Sequence, residues 1–269
     1  MKNVIIKTAV AAALCAASTA QAETIDIGIL YTDQSAAATS NINTKINQLI
    51  AFSNQVYSQN GVDITLRLVG SQNLGDYAIT PSEDWLNAVT NSSYVDNLRT
   101  GWKADMVAVL GMGQSAGAGL ISCGLAWVGQ GTNGNLYSSM SDRMYSITAI
   151  DCGASTFVHE LGHNQGLAHS RKQGDTSGGV YTDGMGHGVQ NEFASIMAYP
   201  QVFGSATQYD YFSNPNWSVN GIPYGITNQA YAIRTVTATK TSIANFKSMS
   251  TKKRAYVMPA YVILLVQSV

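Results

Sequence analysis

Three of the chain's four histidines lie within eleven residues of one another, at positions 159, 163 and 169. His159 and His163 are four positions apart, and on an α-helix this spacing places both side chains on the same face, one turn apart. Two imidazole rings presented in this way can bind one metal ion. The spacing therefore predicts a helix that carries a metal site, and the rest of the chain has to fold around that site.

The residues next to the first two histidines indicate which kind of metal site this is. A helix that continued past Gly166 would carry His169 away from the metal, but glycine readily adopts the left-handed conformation that lets a chain turn back. His169 can then supply a third ligand from the loop. Glu160 is predicted to accept a proton from a water molecule rather than bind the metal. Three neutral nitrogen ligands with one open position are typical of catalytic zinc sites.

The complete motif resembles the zinc signature of the metzincin metallopeptidases, and its defining positions are His159, Glu160, His163, Gly166 and His169. The resemblance covers about residues 25–246 and is strongest with the reprolysin-like secreted bacterial group, in particular the peptidyl-Asp metallopeptidases. It implies one catalytic zinc ion and the hydrolysis of peptide bonds. The chain departs from several of these relatives directly after the last ligand, where Ser170 replaces the aspartate that they carry.

The resemblance also assigns roles to a short segment beyond the zinc motif. Metzincins carry a methionine turn beneath the metal, and the segment SIMAYP is similar to it, with Met197 as the turn methionine. Tyr199 follows two residues later. In some metzincin groups such a tyrosine binds the zinc or stabilises the oxyanion, so both roles are expected as alternatives here. Without the zinc motif, Met197 would be interpreted as ordinary core packing.

Alternating strand and helix patterns in the first half of the chain predict an α/β fold with a largely parallel sheet. The patterns favour strands over residues 24–32, 62–70, 104–111, 119–129 and 144–150, and helices over residues 35–60, 80–99 and 228–246, with the histidine-bearing helix starting just after Cys152. Thr80 is expected to cap the second helix, with Pro81 at its first position. The resemblance narrows this α/β (α+β) class to a mostly parallel, five-stranded twisted sheet with one antiparallel edge strand.

The resemblance places an extended protein or peptide substrate along the antiparallel edge strand. Backbone pairing would involve Gly124, Leu125, Ala126 and Trp127. A preference for acidic side chains would need a cation in the pocket between the zinc helix and the segment after the methionine turn, and the candidates are Arg171, Lys172 and Arg234. Each can equally be a solvated surface charge. His187 is interpreted as a loop residue or a weak substrate contact, and a second metal shared with Asp183 is poorly supported.

The N-terminus predicts a secreted protein. Residues 1–22 combine Lys2 and Lys7 with a short apolar stretch and small residues, which is typical of a cleaved signal peptide, and an uncleaved anchor helix is the alternative. Outside this segment the remaining cysteines are Cys123 and Cys152. In an oxidising compartment we expect them to form a disulfide bond, with two buried thiols as the alternative.

One metallopeptidase domain is expected over residues 23–246, followed by a tail over residues 247–269. The apolar part of the tail is short and interrupted by Pro259, so a stable membrane span is not expected. An added strand, a docking tail and a frame-shifted terminus remain alternatives for it. Lys and Arg total 15 against 16 Asp and Glu, so the charge balance gives no reason to expect a nucleic-acid partner. We expect a monomer, either periplasmic or extracellular.

The leading hypothesis from the sequence is a secreted zinc endopeptidase with Glu160 as the general base. One alternative is a binding or adhesion protein that keeps the metzincin fold and the zinc but has restricted catalysis. Another is an amidase that acts on peptidoglycan or small peptides. Chelator-sensitive cleavage of casein that disappears in Glu160→Ala would favour the endopeptidase.

Overall fold

The computed structural model describes residues 22–117, 119–247 and 262–268. Apart from Ala22, the expected signal peptide lies outside these residues. In chain order the elements are β1 (Glu23–Tyr31), α1 (Asp33–Ala37), α2 (Ile42–Gln59), β2 (Ile64–Asn73), α3 (Glu83–Asn91), α4 (Ser93–Trp102), β3 (Met106–Gly111), β4 (Gln114–Gly117), β5 (Leu120–Trp127), β6 (Gly131–Thr132), β7 (Asn135–Leu136), β8 (Tyr145–Ala149), α5 (Ala154–Asn164), β9 (Gly188–Val189), β10 (Phe193–Ala194), β11 (Thr207–Gln208), β12 (Asn214–Val219), β13 (Ile222–Tyr224), α6 (Ala232–Ala244) and β14 (Val262–Ser268). Short 3-10 turns cover Ser138–Arg143, Arg171–Gln173 and Pro200–Phe203.

The main sheet has the strand order β14-β5-β8-β3-β1-β2. Neighbours among β2, β1, β3 and β8 are parallel, whereas β5 runs antiparallel to β8. This confirms the α/β class and the mostly parallel sheet with one antiparallel strand, β5. Two strands extend the five that were predicted: β4 forms a hairpin with β5, and β14 pairs antiparallel along the other side of β5.

Helices cover both faces of this sheet, because its central strands are apolar on both sides. In β3, Met106, Ala108 and Leu110 belong to the core that α2, α5 and α6 close. Val107 and Val109 belong to the second core, which α3 and α4 close. The helix α5 therefore lies directly beneath the sheet, next to β5 and β8.

Helix boundaries differ from the prediction in three places. The stretch expected as one helix over residues 80–99 is divided into α3 and α4, because the Ser92 hydroxyl accepts a hydrogen bond from the Val95 amide and starts a new helix. The stretch expected as one helix over residues 35–60 is divided into α1 and α2, because the side chains of Thr32 and Asn41 each accept a hydrogen bond at a helix start. The expectation that Thr80 caps the next helix was wrong. Ser82 is the cap of α3, where its hydroxyl accepts a hydrogen bond from the Trp85 amide.

Among the helices in the described parts of the chain, none combines the length and the apolar character needed to cross a bilayer.

Candidate metal centre

The structure brings together the three histidines that the sequence predicted as ligands. The ring nitrogens of His159, His163 and His169 that could bind a metal all lie within 4.8 Å of one another. The first two are one turn apart on α5, as expected from their spacing. Asn164, the last residue of α5, fixes the helix to the sheet, since its side-chain amide donates to the carbonyls of Trp127 and Tyr145.

The third histidine reaches the site because the chain reverses directly after α5. Gly166 has a φ of 94°, in the left-handed region that favours glycine. Its amide donates to the His163 carbonyl at 2.8 Å, and the Leu167 amide donates to the Gly162 carbonyl at 3.0 Å. These two hydrogen bonds form a Schellman motif, which ends the helix and turns the following residues back. The turn proposed for Gly166 is thus present in the structure.

Two backbone carbonyls select the tautomer of the first two ligands. His159 Nδ1 lies 2.7 Å from the Ile196 carbonyl, and His163 Nδ1 lies 2.8 Å from the Leu167 carbonyl. Carbonyls only accept hydrogen bonds, so each Nδ1 carries the proton and each Nε2 keeps a free lone pair. These Nε2 atoms are the ones available to a metal ion.

The same nitrogens lack other partners that would satisfy them. His163 Nε2 is buried and has no hydrogen-bond partner among the described residues. The Nε2 atoms of His159 and His169 face one another at 3.0 Å. A divalent cation shared by the three rings satisfies all of these lone pairs, and three neutral imidazoles are a donor set that suits zinc.

Burial keeps all three imidazoles neutral. It lowers the pKa of His163 to about 4. It also lowers the pKa of His159 and His169 well below the ordinary value, with a further contribution from the neighbouring histidines. The neutral ring is the form that binds a metal, so the centre is ready for a cation at neutral pH.

A carboxylate that the sequence did not single out supports the third ligand. The His169 amide donates to Asp175 Oδ2 at 2.7 Å, and the same oxygen lies 3.6 Å from His169 Nδ1. Ser170, where several relatives carry aspartate, instead donates to Gln173 Oε1. No spacing rule pointed to Asp175, because the loop after the motif has to fold back before this contact exists.

The Glu160 side chain extends from α5 towards β5. Its side chain is fully buried, and neither carboxylate oxygen has a hydrogen-bond partner among the described residues. A β-carbon at Gly124 of β5 would overlap the Oε1 atom. Burial raises the pKa of the Glu160 carboxyl well above its ordinary value. An unpartnered carboxylate beside three nitrogen ligands is a suitable proton acceptor.

The segment around Met197 forms the floor of the centre. Met197 is fully buried, and its sulfur would lie 2.7 Å from a β-carbon placed at Gly162 of α5. Ile196, the residue before Met197, supplies the carbonyl that accepts the hydrogen bond from His159 Nδ1. The Tyr199 ring centroid lies 4.5 Å from that of His169 and 6.0 Å from that of His159. The roles that the resemblance implied for Met197 and Tyr199 stay predictions.

A cleft opens beside the third ligand. Its lining residues are Ser170, Arg171, Lys172, Gly186, His187, Gly188, Phe203, Ile226, Gln229 and Ala230. Two of the predicted cations, Arg171 and Lys172, therefore line it, together with His187. Burial lowers the pKa of His187, so this ring is neutral at neutral pH. Arg234 instead pairs with the buried carboxylate of Asp183.

The disulfide bond between Cys123 and Cys152 is present. It ties β5 to the turn that leads into α5, and therefore fixes the strand that faces Glu160. The predicted substrate strand is not a free edge, because β14 pairs with Gly124, Leu125, Ala126 and Trp127. The tail thus contains an added strand, which was one of three alternatives for it.

Comparisons with known proteins agree with this geometry. The sequence model Reprolysin_5, described as metallo-peptidase family M12, matches residues 21–213. The chain is 36% identical to a peptidyl-Asp metalloendopeptidase of Pseudomonas aeruginosa, over 92% of this chain and 44% of that protein. It is 30% identical to a peptidyl-Asp metalloendopeptidase of Xanthomonas campestris pv. campestris, over 86% of this chain and 54% of that protein.

The chain therefore spans about half the length of the curated relatives it matches. Among solved structures, a chain from the "Structure of a chaperone-substrate complex" superposes with a TM-score of 0.66 at 19% identity. That match covers 84% of this chain and 36% of the other. At this identity it supports the fold alone.

Proposed function

The chain belongs to metallopeptidase family M12, and from this membership we propose that it is a secreted zinc-dependent endopeptidase. Membership confirms the resemblance that the zinc motif indicated. The observation that carries the proposal is the buried, unpartnered carboxylate of Glu160 beside three histidines whose free nitrogens converge. The substrate is an extended protein or peptide chain.

The three histidines hold the ion, and each of this chain's other site residues has a separate task. A zinc ion held there would supply a Lewis acid, which lowers the pKa of bound water and polarises the scissile carbonyl. The Glu160 carboxylate accepts the proton of the attacking water and passes it to the leaving amine nitrogen. The Tyr199 hydroxyl stabilises the negative charge that develops on the carbonyl oxygen. The carbonyls of Ile196 and Leu167 keep two ligand rings in the orientation that the ion requires.

The proposed side-chain preference is for acidic residues. The curated relatives are named peptidyl-Asp metalloendopeptidases. In this chain, Arg171 and Lys172 line the cleft next to His169, where they can meet a substrate carboxylate. The guanidinium of Arg171 is held by the Thr176 carbonyl at 2.6 Å, and the Lys172 ammonium lies over the Phe203 ring. Both side chains are exposed at the cleft, and these contacts orient their charges.

Secretion is proposed from two features. Residues 1–22 have the composition of a signal peptide. The Cys123–Cys152 disulfide bond is of a kind that persists in oxidising compartments.

The proposal is tested with the purified chain from Glu23 onwards, loaded with zinc and incubated with a proteome-derived peptide library. Mass spectrometry should show internal cleavage next to acidic residues, and a chelator should abolish it. Glu160→Ala should lower the rate of peptide cleavage by about 10²- to 10⁴-fold while zinc stays bound. Arg171→Gln and Lys172→Gln should weaken the acidic preference, with Lys45→Gln on α2 as the control outside the cleft. Retained zinc without cleavage of any peptide would contradict the peptidase and favour a binding protein.

A further inference from the structure

The strand β14 covers the whole length of β5 on the side away from β8. Its pairing is antiparallel and runs from Val262 opposite Trp127 to Ser268 opposite Leu120. The register shifts once, between Leu265 and Val266. Within the described residues, the backbone of β5 is therefore paired on both sides.

The covered stretch is the part of β5 that lies against the proposed general base. Leu265 pairs with Gly124, the residue that leaves no room for a side chain next to Glu160. Leu264 pairs with Leu125. A peptide that adds itself to this strand edge brings its backbone carbonyls to the same place, because strand addition fixes the peptide by backbone hydrogen bonds. Segment 262–268 and a substrate therefore compete for one set of donors and acceptors.

We propose that segment 262–268 is the resident peptide ligand of the active-site strand, and that it must leave β5 before a substrate can bind. This inference rests on the proposed peptidase function. It goes beyond that function by assigning the substrate edge an occupant from the chain itself, so that the protein is restrained by its own C-terminal strand.

The sequence of the segment suits an occupant that is not cleaved. VILLVQS contains no aspartate or glutamate and no charged residue at all. If cleavage requires an acidic side chain in the cleft with Arg171 and Lys172, this strand can pair without supplying the group that the reaction needs. Pairing without cleavage is the behaviour of a competitive peptide inhibitor.

The covalent connection makes the segment an effective competitor. It follows α6 after the intervening residues 245–261, and a short connection gives a tethered ligand an effective concentration on the order of millimolar. A free substrate at micromolar concentration has to displace it. We therefore expect the intact chain to cleave peptides at least about tenfold more slowly than a chain whose strand cannot pair.

The test uses the full mature chain and a double proline substitution, Leu264→Pro/Leu265→Pro, in the middle of β14. Proline is tolerated on an edge strand only where its nitrogen faces away from the partner, and neighbouring amides alternate in direction, so one of the two substitutions removes a donor to β5. Ser268→Pro, at the end of β14 and away from Gly124, is the matched control. Circular dichroism and thermal unfolding establish that both variants fold. The expected result is a rise in kcat/KM of at least about tenfold for Leu264→Pro/Leu265→Pro only, and its reversal by the added peptide YVILLVQSV carrying solubilising lysines.

Hydrogen exchange of the β5 amides gives a second measurement that does not depend on catalysis. In the inactive Glu160→Gln background, Leu264→Pro/Leu265→Pro should increase exchange across Gly124 to Trp127, and Ser268→Pro should not. Equal rates and equal exchange in parent and variant would overturn the inference. Faster exchange without cleavage by any chain would instead contradict the peptidase function and leave the pairing supported. An inhibition that grows with protein concentration would show pairing between copies and overturn pairing within the chain.

Discussion

Gly124 is the residue at which the sheet and the proposed general base come closest. Since a β-carbon there would overlap the Glu160 carboxylate, Gly124→Ala has to displace either β5 or Glu160. We expect a loss of most activity and a decrease of about 1–3 kcal/mol in the free energy of unfolding, as for other overpacked sites. Gly101→Ala is the control, because an added β-carbon at Gly101 contacts nothing. Activity assays and urea denaturation measure both effects, and parent-like activity of Gly124→Ala would contradict the proposed position of Glu160.

Asp175 is expected to position His169. Its carboxylate accepts the His169 amide proton and lies next to the ring nitrogen that does not face the other histidines. Replacement of such a supporting carboxylate typically weakens metal binding about 10- to 100-fold, and we expect this range for Asp175→Asn. Competition with a fluorescent chelator measures the zinc affinity. Asp142→Asn, on the 3-10 turn over Ser138–Arg143, is the matched control, and equal affinities in both variants would rule out the supporting role.

At the scale of single residues, the sequence predicted what depends on local spacing. Two histidines four apart on a helix, and a glycine that turns the chain back, need no knowledge of the rest of the fold. The contacts of Gly124 and Asp175 could not be predicted in this way. The first depends on how closely β5 crosses α5, and the second on a loop that folds back after the motif.

Among whole helices and strands, too, some features follow from local sequence patterns and others do not. The strand β3 was predicted well, because a continuous apolar run between polar ends indicates a strand buried on both faces. The division of the predicted helix over residues 35–60 was missed, since the apolar spacing continues while Asn41 starts a new helix by capping it. Periodicity reports the buried face of a helix, whereas capping decides where the helix begins.

The Cys123–Cys152 disulfide bond joins β5 to the turn before α5, and therefore couples this strand to the helix that carries His159 and His163. The two cysteines are 29 residues apart in sequence, a separation for which chain-entropy models give about 3–4 kcal/mol. Replacing both with alanine should lower the free energy of unfolding by about that amount. Urea denaturation of the zinc-free protein measures this, with the reduced parent protein as the matched control. An unchanged midpoint would show that packing alone fixes β5.

For the whole molecule, the main unpredicted feature is the strand that follows the domain. The apolar tail could be recognised as a possible added strand, but its partner could not be identified from composition. Pairing between β14 and β5 joins residues more than a hundred positions apart, and several apolar strands of this sheet have similar patterns. Only the folded sheet shows that β5 has a side left to pair.

The stability of the whole molecule should depend on pH through the metal centre. The three ligand histidines have pKa values lowered by burial, to about 4 for His163, against about 6.5 in an unfolded chain. Below pH 6.5 the unfolded chain binds protons that the folded chain does not, so folding is progressively disfavoured as the pH falls towards 4. The carboxyls of Glu160, Asp105 and Asp210, whose pKa values are raised by burial, act in the opposite sense, whereas His187, whose pKa is lowered, acts in the same sense as the three ligands.

Zinc-free protein should therefore lose thermal stability steeply between pH 6.5 and pH 4, by up to about 1.4 kcal/mol per pH unit for each histidine. Zinc should raise the unfolding midpoint at pH 7, and this gain should disappear over the same pH range because protons compete with the metal for the ring nitrogens. In the zinc-free protein, His163→Gln should reduce the loss of stability per pH unit by the contribution of one histidine. Tyr199→Phe should leave this pH dependence unchanged. If the zinc-free His163→Gln profile is as steep as that of the parent, the His163 ring is not buried in its neutral form, and the arrangement of the three ligands has to be different.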